Sequence, residues 1–122
     1  MAKKILIADD EQDFLSLIKI RLEAAGYEVT TASDGIEALK QVEKIRPDMV
    51  ILDILMPKLD GYEVCRLLKF DERYKSLPVV ILSARAQDID KEMGRLVRAD
   101  AYISKPINDQ DLLETIKKQL GE

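Results

Sequence analysis

The chain has 122 residues, 47% of them apolar and 34% charged, with a net charge of −4; these are the dimensions of one soluble globular domain that buries a core without metal or disulfide staples. The balance excludes a disordered chain, and the lack of a broad basic field argues against direct binding of nucleic acid or of an anionic membrane. With no histidine and a single cysteine, Cys65, the chain has no Ser-His-Asp or Cys-His chemistry, no His- or Cys-ligated zinc site and no internal disulfide.

The first predicted element is a strand over Ile5–Ala8. Lys3 and Lys4 before it imitate the start of a signal peptide, but the apolar run is too short and stops at Asp9-Asp10. No run approaches the roughly 18–20 apolar residues of a membrane span, so the cytoplasm is the expected location. A helix follows, with Phe14, Ile18, Leu22 and Ala25 on one stripe and Gly26 ending it. Glu28–Ala32 is a half-polar strand, which predicts an edge position. Asp34-Gly-Ile-Glu37 opens the second helix as a capping box, and Arg46-Pro47 closes it.

Met49–Leu52 is the third strand, apolar on consecutive residues as a strand covered on both faces is. Asp60-Gly-Tyr-Glu63 repeats the helix start, with Tyr62, Cys65 and Leu68 expected inside. Cys65 reads as a core residue, with a redox sensor as the other reading. Val79–Leu82 is the fourth strand. The fourth helix, about 88–97, is the weakest: it carries Ile89, Met93, Leu96 and Val97, but Gly94 inside it costs about 1 kcal/mol relative to Ala. That weakness suits an element with two arrangements and equally suits a simple sequence defect. Ala101–Ser104 is the fifth strand, and Asn108 caps a last helix with Leu112, Leu113, Ile116 and Leu120 inside. The sum is (βα)5, an open doubly wound parallel α/β sheet. Residues 1–122 are expected to form one domain, with nothing left over for a second.

Such sheets bind ligands outside the carboxyl ends of their strands. There the first strand delivers Asp9 and Asp10, the third Asp53, the fourth Ser83 and the fifth Lys105. Asp10 and Ser83 also read as helix caps. Asp53 does so poorly, because its helix starts at Gly61, and a lysine is no cap at all. Close carboxylates repel and raise one another's pKa, and a cation relieves them. Oxygen-only donors indicate a hard ion, Mg²⁺ or Mn²⁺. Lys105 and Ser83 are suited to phosphoryl oxygens, so the set favours metal-assisted phosphoryl transfer. No glycine-rich phosphate cradle follows the first strand. The group that receives phosphate is therefore the protein's own, and Asp53 is the candidate nucleophile.

Ile5-Leu-Ile-Ala-Asp-Asp-Glu11, Asp53-Ile-Leu-Met-Pro-Lys-Leu-Asp-Gly61, Val80-Ile-Leu-Ser-Ala84 and Ala99-Asp-Ala-Tyr-Ile-Ser-Lys-Pro106 together resemble the receiver domain of two-component response regulators. The resemblance covers essentially the whole chain. It implies a flavodoxin-like strand order 2-1-3-4-5 and phosphorylation of Asp53 from a phosphohistidine on a sensor histidine kinase or a phosphotransfer protein. It further implies Asp10 as the direct Mg²⁺ ligand, Asp9 acting mainly through water, and the backbone carbonyl of Leu55 as the third protein ligand. Lys105 is implied as the phosphate-binding lysine, with a cis bond to Pro106. Ser83 is implied as the switch hydroxyl and Tyr102 as the aromatic switch. The surface of the fourth helix, fifth strand and fifth helix then changes for an output protein.

Some positions depart from the family pattern. Arg98 stands where glycine is usual, and Ile107 where an aromatic is. Leu55 and Arg85 flank the site and are expected to alter the phosphate lifetime. Met56-Pro57 is expected to shape the loop. Three readings compete: a signalling switch, monomeric or weakly dimeric, that turns over no external substrate; a small aspartate-nucleophile phosphohydrolase; and a receiver-like domain that uses no phosphate. Against the hydrolase, no second aspartate stands two residues after Asp53, and the chain has no room for a substrate-selecting cap.

Overall fold

A computed structural model describes residues 2–83 and 91–122. Its elements run β1 (Lys4–Ala8), α1 (Gln12–Ala24), β2 (Glu28–Ala32), α2 (Gly35–Ile45), β3 (Met49–Asp53), α3 (Gly61–Lys69), β4 (Val79–Ser83), α4 (Lys91–Val97), β5 (Ala101–Ser104) and α5 (Asp109–Leu120). All strand pairs are parallel and the order is β2-β1-β3-β4-β5. The half-polar EVTTA strand thus lies at the edge, as its composition predicts.

Side chains alternate across a strand, and this sheet uses both faces. Ile5, Ile7, Met49, Ile51, Val80 and Leu82 pack with Leu15, Ile18 and Leu22 of α1 and with Leu112 and Ile116 of α5. Leu6, Ala8, Val50, Leu52, Val79 and Ile81 pack on the other side with Val42 of α2, Val64, Cys65 and Leu68 of α3, and Val97 of α4. Consecutive apolar residues in the central strands are what two covered faces require.

The helices refine the sequence expectations. On α1 the buried stripe is Leu15, Ile18 and Leu22, while Phe14 is half-buried and Ala25 is an exposed C-cap. The expected stripe was out of phase by one residue at its start, and Gly26, at φ +98°, makes the left-handed turn that ends the helix. Asp34 caps α2 by accepting from the Glu37 N–H at 2.8 Å, but the Glu37 carboxylate accepts from the Ser33 N–H and not from that of Asp34. The reciprocal capping box forms in α3, between Asp60 and Glu63. Asn108 accepts from the N–H groups of Gln110 and Asp111 at the start of α5; Leu113 and Leu120 are only partly buried there. Residues 88–90 of the expected fourth helix lie outside the described residues, Ile89 among them. Among the α4 residues whose burial is described, Val97 is buried, whereas Met93 is 39% and Leu96 61% exposed. Cys65 is a core residue: it is wholly buried, its thiol donates to the Val97 carbonyl at 3.4 Å, and burial pushes its pKa up to about 12.

Arg98 has φ +64°, a left-handed conformation that glycine takes without strain. Its guanidinium lies 4.1 Å from the centre of the Phe70 ring, a contact that offsets part of the backbone cost. Ile107 packs against the core on the α1–α5 side. Among the described residues no helix is long and apolar enough to cross a membrane.

At the amino edge of the sheet Lys69 is buried. Its ammonium donates to the Leu77 carbonyl at 3.0 Å and to Asp100 at 2.9 Å, and the same Asp100 oxygen accepts from the Val79 N–H at 2.8 Å. This knot ties the end of α3 to the starts of β4 and β5. Lys69→Met is expected to cost about 1–2 kcal/mol in urea unfolding. That is below the usual penalty for breaking a buried pair, because Asp100 keeps its backbone donor and is 31% exposed at the side chain.

Candidate functional site

Parallel register brings the strand ends to one edge. Asp53 pairs with Leu82, and Ser83 with Ser104, the residue before Lys105. Ser83 is 3% exposed, its carbonyl accepts from the Lys105 backbone N–H, and its neighbour Leu82 accepts from the Ile54 N–H. The peptide bond between Lys105 and Pro106 is cis, as the resemblance implied. Asp9 and Asp10 follow β1 directly.

Asp9 is completely buried. One of its carboxylate oxygens accepts from the Glu11 N–H at 2.9 Å and the other from the Lys105 ammonium at 2.6 Å. Lys105 Nζ also lies 3.8 Å from Asp53 Oδ1 and 3.4 Å from Glu11 Oε1. Asp10 is exposed, yet ligand oxygens of Asp9, Asp10 and Asp53 all lie within 4.8 Å of one another. Asp10 is not the helix cap: the N-cap of α1 is Glu11, and it makes no side-chain cap bond.

One ammonium among these acids leaves negative charge in excess. Burial, then the charge of Asp9, pushes the Asp53 carboxyl up to about 6, with Lys105 pulling the other way and Asp10 and Glu11 adding to the rise. Burial works against the Lys105 ammonium, but its hydrogen bond to Asp9 and the charges of Asp53, Asp9 and Glu11 prevail and raise its pKa. A cluster of hard oxygen donors that resists full ionisation fits a hard divalent cation such as Mg²⁺ or Mn²⁺.

The other expected site residues are placed as follows. Tyr102 is half-buried on β5 and packs on the α3–α4 side. Leu55 lies on the loop after β3 with its side chain 72% exposed, between Ile54 and Met56, which both point into the core. Arg85 lies outside the described residues.

Three neighbours of the site are new. Glu11 touches both Asp9 and Lys105, as its place directly after the acidic pair makes possible. The Phe14 ring centre lies 4.2 Å from Lys105 Nζ. Gly61 lies against the backbone of Asp53 and Ile54: its N–H donates to the Ile54 carbonyl at 2.9 Å, and a Cβ there would stand 2.3 Å from the Asp53 carbonyl oxygen. In the sequence Gly61 reads only as the first residue of a helix.

A family model described as the response regulator receiver domain matches residues 5–117. The chain is 42% identical over 117 residues to the alkaline phosphatase synthesis transcriptional regulatory protein PhoP of Bacillus subtilis, a match covering 96% of this chain and 48% of PhoP. It thus spans about half the length of that relative. Among solved structures it is similar to a putative response regulator from Chloroflexus aurantiacus J-10-fl, with a TM-score of 0.94, 34% identity and complete coverage (100%) of both chains. It is also similar to the response regulator protein TrrA of Thermotoga maritima in complex with Mg(2+)-BeF, with a TM-score of 0.87, 36% identity and coverage of 96% of this chain and 98% of that one.

Proposed function

The chain belongs to the response regulator receiver domain family, the phosphoacceptors of two-component signalling, and from that premise we propose that Asp53 is its phosphorylated residue. The observation that carries this is the meeting of the Asp9, Asp10 and Asp53 carboxylates with Lys105 at one sheet edge. An Asp53 carboxylate oxygen forms a bond to phosphorus, and the bond from phosphorus to the donor breaks, its electron pair leaving with the donor's nitrogen or acyl oxygen. Asp9, Asp10, Asp53 and the Leu55 backbone carbonyl would hold the Mg²⁺. When bound, the ion neutralises charge on the carboxylates and on the phosphoryl oxygens.

Lys105 stands between Asp9 and Asp53, so it can exchange its carboxylate contact for a phosphoryl oxygen with little displacement. Ser83 donates to a second phosphoryl oxygen from the end of β4. Ser83 ends β4 and Lys105 follows β5, two strands paired with each other, so new phosphoryl bonds draw on β4 and β5 together. Tyr102, on β5, follows that movement, and the α4–β5–α5 surface is read by an output protein. The donor is a sensor histidine kinase or a phosphotransfer protein, and the site is cytoplasmic. The whole of 1–122 serves as the receiver, as a monomer or weak dimer. The phosphohydrolase alternative is not favoured: the relatives are regulators, and Leu55 stands where such an enzyme needs a second acid.

Incubation with acetyl phosphate and Mg²⁺ is expected to add one phosphoryl group by intact mass, located on Asp53 by peptide mapping. Chelation of the metal with EDTA is expected to suppress the gain. A gain on any other residue would overturn the assignment.

A further inference from the structure

Lys105 is held by more than its carboxylate partners. Its side chain is 12% exposed and is bounded by Asp9 at 2.6 Å, Glu11 at 3.4 Å and Asp53 at 3.8 Å. It also meets an apolar group, the Phe14 ring, whose centre lies 4.2 Å from Nζ. That distance is well inside the range at which a ring face attracts an ammonium.

The placement of Phe14 is unusual for its helix. It is partly buried and packs beside the α1–α5 core, while its neighbour Leu15, 2% exposed, fills the central position on the sheet. Phe14 therefore stands at the flank of the core, where α1 passes the carboxyl edge of the strands. A long, flexible lysine side chain loses much rotamer freedom when it is fixed. A ring beside Nζ removes outward-pointing rotamers without supplying a competing anion, which a carboxylate in the same place would do.

We propose that Phe14 is a positioning residue for Lys105: its ring holds the ammonium beside Asp53 both at rest and when phosphate arrives, so that exchange of the Asp9 contact for a phosphoryl oxygen is a short movement. This rests on the phosphoacceptor reading above. Glu11 restrains the same ammonium by charge and competes with the phosphoryl group, whereas Phe14 restrains it without competing.

The test compares wild type, Phe14→Leu, Phe14→Met and Phe14→Tyr in the full chain, with acetyl phosphate and Mg²⁺ as the probe. Two readouts are taken. The first is the proton resonance of the Lys105 ε-methylene, which the ring places upfield of the other lysines in wild type. The second is the rate of phosphoryl addition by intact mass. Phe14→Leu and Phe14→Met are expected to lose the upfield shift and to react about two- to fivefold more slowly, the range a cation–π contact supplies. Phe14→Tyr is expected to restore both. A wild-type Lys105 resonance without the shift overturns the proposal. So does a folded Leu or Met variant that loses the shift yet reacts at the wild-type rate. Should Leu fail to fold, the longer and more adaptable Met carries the comparison. A wild type that gains no mass, or a gain that survives Asp53→Asn, strikes instead at the phosphoacceptor reading and leaves the resonance test standing.

Discussion

Asp53→Asn is expected to abolish phosphoryl addition and, in metal-free buffer at pH 8, to make the fold more stable by on the order of 2 kcal/mol. Loss of addition follows because an amide is no substitute for the nucleophilic carboxylate. The gain in stability follows from the charge the site carries. The Asp53 carboxyl is raised to about 6 by burial and by Asp9, against an ordinary 3.8 in the unfolded chain. An acid whose folded pKa is the higher binds more protons folded than unfolded between those values. Stability therefore falls as pH rises through that window, and the penalty is complete above about 6. The rise to about 6 is already net of the attraction to Lys105, 3.8 Å away; the amide removes the penalty but is itself a polar group that must be desolvated, which trims the gain. Urea unfolding of both chains in EDTA at pH 8 and pH 4 tests this. The gap is expected at pH 8 and should shrink sharply at pH 4, where the wild-type carboxyl is largely protonated in the folded state. Mg²⁺ at pH 8 is expected to narrow the gap by stabilising wild type, as any ion held by the folded carboxylate cluster would. A gap independent of pH would mean that Asp53 carries no raised pKa.

The fold was legible because strands covered on both faces need consecutive apolar residues, and β1, β3 and β4 have them. The half-polar β2 marked its own edge. The strand-end acids were legible for the same reason: an apolar run that stops at Asp9 or Asp53 leaves its next side chain at the carboxyl edge. What escaped depends on neighbours distant in sequence. The phase of α1 was blurred because Leu17 and Ile20, 46% and 64% exposed, spread apolar residues around the helix. On α4 the apolar residues do not show in sequence which of them packs inward: Val97 is buried, whereas Met93 and Leu96 are 39% and 61% exposed. Nothing local marks Lys69 for burial, because its partner Asp100 lies 31 positions away. The Phe14 ring beside Lys105 exists only once α1 is set against the end of β5. None of these contacts leaves a period or a motif in the chain.

Gly61→Ala should cost about 3 kcal/mol or more, with phosphoryl addition slowed beyond what the unfolded fraction explains. A methyl at this position would stand 2.3 Å from the Asp53 carbonyl oxygen, 2.9 Å from its carbon and 3.1 Å from the Ile54 Cα. These are backbone atoms of the last ladder residue of β3 and the first loop residue after it, so no rotamer change relieves the overlap. Either α3 moves off, at the expense of the Gly61 N–H bond to the Ile54 carbonyl, or the end of β3 that carries Asp53 is displaced. In the second case Asp53 leaves its position opposite Lys105, which the chemistry cannot tolerate, because small misplacements of a reacting group carry large rate penalties. Gly26→Ala serves as the comparison. Gly26 has φ +98° but no heavy atom within 4 Å of the added carbon. It is therefore expected to lose only about 1 kcal/mol, from backbone strain, with the rate unchanged. Urea midpoints and phosphoryl addition rates for the two variants, taken where both are folded, separate the effects. Equal costs at the two glycines would show that close approach to the Asp53 backbone contributes nothing. A Gly61→Ala chain that is destabilised yet reacts at the wild-type rate would show that the strain is taken up entirely by α3.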